Sequence, residues 1–273
     1  MSLDTRSLLV ALRSSSLRNE LKVHYQPIIR LRTGTIIGYE ALLRWHHPKL
    51  GMIPPDIFIP FAEQHGLIFE ITQILFDKVL RDQSCWNHEK NTLISLNISA
   101  ASLTSNDLIE LLKPLVSDPE ISNKKVILEI TETATLSNPE NAKALINKLS
   151  NEGFRFALDD FGTGYSSLTN LRNLRIDEIK IDKSFIQHLD GQSHADQVLI
   201  DAILSIAHAF GAIVVAEGIE TEETLLQLKS MNCYAGQGFL FAKPMPANAI
   251  DDWYEQWPAQ WRQLALQAHS AVI

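Results

Sequence analysis

Residues 154–168 read FRFALDDFGTGYSSL, and the fold turns on how this stretch is taken. Phe154, Phe156, Ala157 and Leu158 make an apolar run of strand length, and Asp159 and Asp160 follow it directly. Burying one aspartate is costly unless it is paired or binds a metal, and burying two neighbours costs more. Gly162 and Gly164 then turn the chain through conformations that other residues resist. One reading is a strand that ends in an Asp-rich turn capping the next helix. The other is a metal site at a strand end.

The neighbouring segments decide between them. Apolar, β-branched-rich runs of strand length alternate with helical patterns. The strand-like runs are LKVHYQPII, NTLISLN, KVILEI, FRFALDD, IDEIKI, AIVVAE and a weak one near Met231–Ala235. Residues 194–210 carry apolar side chains at Ala195, Val198, Leu199, Ala202, Ile203, Ile206, Ala207 and Phe210, the spacing of one helix face. A second helix is expected over 139–151, with Pro139 at its first position, and a third from Thr221. Strand and helix repeated in this way mean parallel strands with crossover helices. The number of units favours a closed TIM-type (β/α)8 barrel over an open sheet, and 273 residues fill one such barrel.

The strands share a feature. Asn97, Glu129, Asp159 with Asp160, Lys180, Glu217 and Gln237 each stand at or near the C-terminal end of an apolar strand. In a parallel barrel those ends converge on one face, where such folds place their sites. Any one of them fits a helix cap or a salt bridge under a loop. Six in succession would be six burial costs on one rim with no function to show for them. Asn, Glu and Asp are hard oxygen donors, and the set lacks the Cys and His of a zinc site, which favours Mg²⁺ or Mn²⁺. At a strand end about to turn, both aspartates can swing to the rim, one bridging two cations and the other binding one. Two hard cations about 3.5–4 Å apart suit in-line displacement at phosphorus. Lys180 among the carboxylates would hold the attacking water or offset developing charge. The residues alone therefore give a metal-dependent phosphate-ester hydrolase.

Composition narrows the partners. The net charge of −8 argues against sequence-independent binding of nucleic acid polymers through a basic face. Cys85 and Cys233 show no ligand spacing and are expected to be packed thiols in a reducing, cytoplasmic compartment. No apolar run has membrane-span length, and the N-terminus has no signal-peptide pattern. Residues 1–17 are read as a lead-in helix or residues appended in cloning, 18–250 as the barrel and 251–273 as a helical tail, which fits one domain of a longer protein with regulatory domains.

Tyr39 to Gly51 reads YEALLRWHHPKLG, and with it the chain resembles the EAL-domain family of cyclic di-GMP phosphodiesterases. The likeness also rests on Tyr25-Gln26-Pro27, Leu96-Asn97-Ile98-Ser99, Glu129-Ile130-Thr131-Glu132, Asp159 to Ser167, Lys180-Ile181-Asp182, Ala216 to Glu220 and Gln237-Gly238, in the family's order. The resemblance implies hydrolysis of cyclic di-GMP to linear 5′-pGpG in bacterial signalling, on a modified barrel whose first strand is antiparallel to the rest. It implies Glu40, Asn97, Glu129 and Asp159 as ligands of a first metal, and Asp159, Asp160 and Glu217 as ligands of a second. It implies that Lys180 orients the attacking water, that Gln237 lies near it, and that Glu132 holds the DDFGTGYSS loop. Gln26 and Arg44 match contacts to guanine and phosphate, and Asp182 is placed on the substrate side. A homodimer through the loop face, Asp160 to Ser167, is implied as well.

Two other functions remain to be weighed: a catalytically silent cyclic di-GMP receptor, and a barrel phosphohydrolase for another nucleotide or sugar phosphate. His46 and His47 are expected to pack rather than ligate, because carboxylates already complete the site. Trp253, Trp257 and Trp261 are expected to pack a terminal helix on the barrel, with Pro258 a threat to its continuity. Residues 105–124 read as an amphipathic helix and a loop.

Overall fold

The computed structural model describes residues 5–83, 86, 92–102, 108–112, 125–137, 139–162, 174–189 and 194–270. The 105–124 expectation falls mostly outside them, although Leu108 and Leu112 are buried. Helices α1 (Thr5–Leu12) and α2 (Leu17–Glu20) lead into strands β1 (Leu21–Arg30), β2 (Ile36–His47) and β3 (Gly51–Ile53). Helices α3 (Pro55–Gln64) and α4 (Ile68–Gln83) cross to β4 (Leu93–Asn97), and β5 (Val126–Thr131) follows. Helices α5 (Glu132–Ser137) and α6 (Pro139–Asn151) precede β6 (Arg155–Phe161) and β7 (Glu178–Ile181). Helices α7 (Lys183–Ile186) and α8 (His194–Phe210) precede β8 (Ile213–Ala216), and α9 (Glu222–Ser230) precedes β9 (Ala235–Gly236). The short β10 (Met245–Pro246) and the long α10 (Ile250–Ser270) end the chain.

Strands β2, β4, β5, β6, β7, β8 and β9 are parallel neighbours in that order. Strand β1 pairs antiparallel with both β2 and β9 and so closes the barrel. The fold is thus a modified TIM barrel with its first strand reversed, as expected. Closure removes the sheet edges.

Strand β2 is not among the strand-like runs picked from the sequence. It alternates cleanly: Tyr39, Ala41, Leu43 and Trp45 are buried under the helices, while Glu40, Leu42 and Arg44 take the opposite face. Most of the core lies between barrel and helices. Inside the barrel, Ile28, Val215 and Ala235 form a separate small apolar cluster.

Helix 139–151 and the Thr221 start appear where expected, and the Thr221 hydroxyl caps α9 by accepting the Thr224 N–H. Helix α8 also spans the expected residues, but its buried residues include Ile200, Ile203 and Ala207. Val198 and Leu199, of the stripe read from the sequence, are 53% and 47% exposed. The helix is apolar on two sides, so periodicity alone did not fix which side turns inward. Helix α10 runs unbroken through Pro258. Trp257 is 3% exposed, donates to the Gly34 carbonyl at 2.7 Å and stacks on Trp253, which packs the helix on the barrel. Among the described residues, no helix is long and apolar enough to cross a membrane.

Candidate active site

Strand alternation sends Glu40, Asn97, Glu129, Asp159 and Lys180 to the inside of the barrel near its C-terminal rim. Glu217 and Gln237 join them from the residues just past β8 and β9. Lys180 is the centre. Its ammonium, fully buried, lies 2.6 Å from Glu217 Oε1, 2.9 Å from Glu129 Oε2, 3.3 Å from Glu40 Oε2 and 3.6 Å from Asp159 Oδ1. Asn97 Nδ2 donates to Glu40 Oε1 at 2.9 Å. Gln237 Nε2 donates to Glu40 Oε2 at 2.6 Å and to Glu217 Oε1 at 3.0 Å. Gly238 follows Gln237 because a Cβ there would overlap the Ile219 backbone.

The aspartate pair reaches the rim through an irregularity. The β6–β7 register shifts between Leu158 and Phe161. Asp160 takes a left-handed backbone, φ +55°, and its N–H donates to Asp159 Oδ1 at 3.0 Å. On a regular strand the two side chains would point to opposite faces. Here one oxygen each of Asp159, Asp160 and Glu217 gathers within 4.8 Å of the others. Glu132, buried, accepts the Gly162 N–H at 3.2 Å and so fixes the start of the glycine loop. Residues 163–167 of that loop lie outside the described residues.

Electrostatics follow from crowding. Burial favours the neutral carboxyl of Glu40, yet Lys180, Gln237 and Asn97 together hold it below the ordinary carboxylate range. Burial raises Glu129 well above that range and lifts Glu217 to about 8, against the pull of Lys180. Burial, then Asp159 and Asp182, raise Asp160. Burial opposes the charge of Lys180, but Glu129, Glu217, Glu40 and Asp159 keep it firmly protonated. The cluster holds more negative charge than one ammonium neutralises. Glu129 Oε1 and Gln237 Oε1 are buried acceptors with no hydrogen-bond partner. An oxygen-rich donor set with idle buried acceptors fits hard divalent cations.

Of the substrate-side candidates, Gln26 and Arg44 lie on the β1–β2 ribbon, and Asp182 follows β7. Gln26 sits opposite Glu40 in the β1–β2 ladder and donates to the Ala242 carbonyl at 3.0 Å. Arg44 is half-buried on the Glu40 face of β2, in the field of Glu40 and Asp56, and donates to the Leu43 carbonyl at 2.8 Å. Asp182 caps α7 by accepting the Ser184 N–H at 3.0 Å. Sequence reading missed Glu178, a buried carboxyl two residues before Lys180. The signal was present in IDEIKI, where positions 178 and 180 share one strand face. Cys233 is buried, and its thiol is pushed up to about 12 by burial. Cys85 lies outside the described residues.

A closed barrel that gathers carboxylates around a buried lysine at its C-terminal rim has the architecture of a barrel active site. The chain belongs to the EAL domain family, which it matches over residues 9–244. It is 38% identical over 249 residues to the cyclic di-GMP phosphodiesterase PdeR of Escherichia coli, covering 90% of this chain and 37% of that protein. It is 36% identical over 245 residues to the bifunctional diguanylate cyclase/cyclic di-GMP phosphodiesterase MucR of Pseudomonas aeruginosa, covering 89% of this chain and 36% of that one. The solved structure of the PaMucR phosphodiesterase in complex with c-di-GMP superposes with a TM-score of 0.83 at 36% identity, covering 89% of this chain and 99% of that one. The chain spans 37% and 36% of the length of these two curated relatives.

Proposed function

We propose that this chain is a cyclic di-GMP phosphodiesterase that opens the ring to linear 5′-pGpG. One observation carries the reading: a fully buried ammonium ringed by four carboxylates beside the Asp159–Asp160–Glu217 convergence, in a domain of this family. Glu40, Asn97, Glu129 and Asp159 would hold one Mg²⁺ or Mn²⁺, and Asp159, Asp160 and Glu217 a second. Bound there, the pair would acidify water and neutralise the departing oxygen. Lys180 orients the attacking water, and Gln237 fixes the carboxylates of Glu40 and Glu217 around it. Water adds at phosphorus, the P–O3′ bond breaks, and the products are a 5′-phosphate and a 3′-hydroxyl. Arg44 binds phosphate. Gln26 binds guanine, exchanging the Ala242 carbonyl for the base. Asp182, whose charge reaches Asp160, borders the same side.

We further propose a homodimer through the loop face that begins at Asp160. The outward stripe of α8 would extend that face, because Ile203 of the same helix is, with Phe185, among the side chains nearest to Gly162. Regulatory domains would flank the barrel in a longer protein.

Hydrolysis of cyclic di-GMP with Mg²⁺, with Mn²⁺ and with EDTA, beside Asp159→Asn, tests the enzyme reading. Metal-dependent pGpG that disappears in EDTA and in the variant is expected. Tight binding without product would instead make the chain a receptor. Cleavage of other nucleotides or sugar phosphates in preference would reassign the substrate.

A further inference from the structure

Glu178 is a buried carboxyl that the proposed reaction leaves without a task. It stands two residues before Lys180 on β7, so both side chains enter the barrel on one face, about 6.6 Å apart along the strand. It is 1% exposed, and its Oε1 has no hydrogen-bond partner. Its register neighbours are Ala157 of β6 and Ile213 of β8. Beside the short Ala157 side chain, a valine or leucine at 178 would fill the interior as Ile28 and Val215 do. An idle buried carboxyl oxygen costs free energy that packing does not explain. Burial pushes its carboxyl up to about 7, Lys180 pulls it down, and Glu40, Asp159 and Asp177 add to the rise.

The carboxylates around the ammonium of Lys180 are Glu40, Glu129, Asp159 and Glu217. All four are proposed metal ligands. An oxygen that ligates a dication is a poorer partner for an ammonium, and the dication repels the ammonium. Among the described residues, the buried carboxyl groups are Glu40, Glu129, Glu132 and Glu178, and Glu132 is engaged by the Gly162 N–H. Only Glu178 remains outside the ligand set, with an oxygen to spare. We propose that Glu178 is a positioning residue for Lys180, attracting the ammonium from beneath without metal and becoming its main anionic partner when the four rim carboxylates turn to metal; the assignment rests on the phosphodiesterase reading.

The test is a double-mutant cycle of Glu178→Gln and Lys180→Met, with Glu178→Leu as a volume-filling control. In metal-free protein at pH 8, the Tm change caused by Glu178→Gln is expected to differ by about 3 °C between the two backgrounds, the substitution being costlier where Lys180 is present. With Mg²⁺, Glu178→Gln and Glu178→Leu should both lower kcat about tenfold, with KM and Mg²⁺ affinity within about twofold of wild type. Equal Tm changes in the two backgrounds would overturn the proposal. So would a wild-type kcat in either Glu178 variant, or a loss of Mg²⁺ affinity in step with kcat. If the wild type fails to cleave cyclic di-GMP, the phosphodiesterase reading falls, and the metal-free cycle alone decides whether Glu178 acts on Lys180.

Discussion

Asp160 shows what the site costs a single residue. Its left-handed backbone, φ +55°, is one that glycine adopts freely and an aspartate at some cost. Its carboxyl is also raised by burial and by Asp159 and Asp182 nearby. Asp160→Gly therefore relieves both strain and repulsion. It should raise the metal-free Tm by about 2–4 °C while weakening Mg²⁺ binding at least tenfold, read by thermal unfolding and titration calorimetry. The same crowding sets a pH dependence. Burial lifts Glu217 to about 8 and Glu178 to about 7, above their values in an unfolded chain. The native state then binds more protons than the unfolded state between about pH 4.5 and 8, so stability falls as pH rises through that window. Metal-free protein should lose several degrees of Tm from pH 6 to pH 8.5, and millimolar Mg²⁺ should flatten the slope by favouring the ionised carboxylates. A Tm flat with pH without metal would contradict the buried cluster.

At the scale of elements, helix α8 separates stability from association. Ile203 and Ala207 face the barrel, whereas Val198 and Leu199 face out. Ile203→Ala should cost about 2–4 kcal/mol by leaving a cavity in the core, whereas Val198→Ser with Leu199→Ser should change Tm by no more than about 2 °C. If the dimer uses this face, the exposed pair alone should shift sedimentation toward monomer. The helix also marks where sequence reading reached its end. Its span was legible from spacing, but two apolar sides leave orientation to tertiary packing. The strand-end residues were legible because polar atoms at the close of apolar runs have few places to go. Strand β2 was less legible although Tyr39, Ala41, Leu43 and Trp45 alternate, because its other face carries Glu40 and Arg44, and only barrel closure makes that face an interior. Glu178 was missed for a related reason: it opens a strand, where a carboxyl reads as solvent-facing until closure of the barrel makes that face an interior.

The whole molecule keeps folding and chemistry at separate places. Helix α10 is fastened where the β1–β2 turn meets it, through the Trp257 indole on the Gly34 carbonyl, the Trp253–Trp257 stack and Trp261 tilted against Trp257. That turn opens into the N-terminal end of β2, while the carboxylates gather toward the C-terminal ends of the barrel strands. In parallel barrels stability is tied to the first kind of place and chemistry to the second. Trp257→Ala removes a buried ring and a hydrogen bond, and should lower Tm by about 10 °C. At temperatures well below that transition, its Mg²⁺ affinity and kcat/KM should stay within about threefold of wild type. Lys180→Met should behave in the opposite way. Without metal it leaves the acidic cluster without its buried cation and unfolds early; with saturating Mg²⁺ its Tm should return most of the way to wild type, because dications then neutralise the cluster, while turnover stays lost. The pair of variants, melted with and without Mg²⁺, separates the two places. If Trp257→Ala lost metal affinity along with stability, the barrel wall and the rim would have to be one cooperative unit, and the division of labour drawn from the strand ends would be wrong.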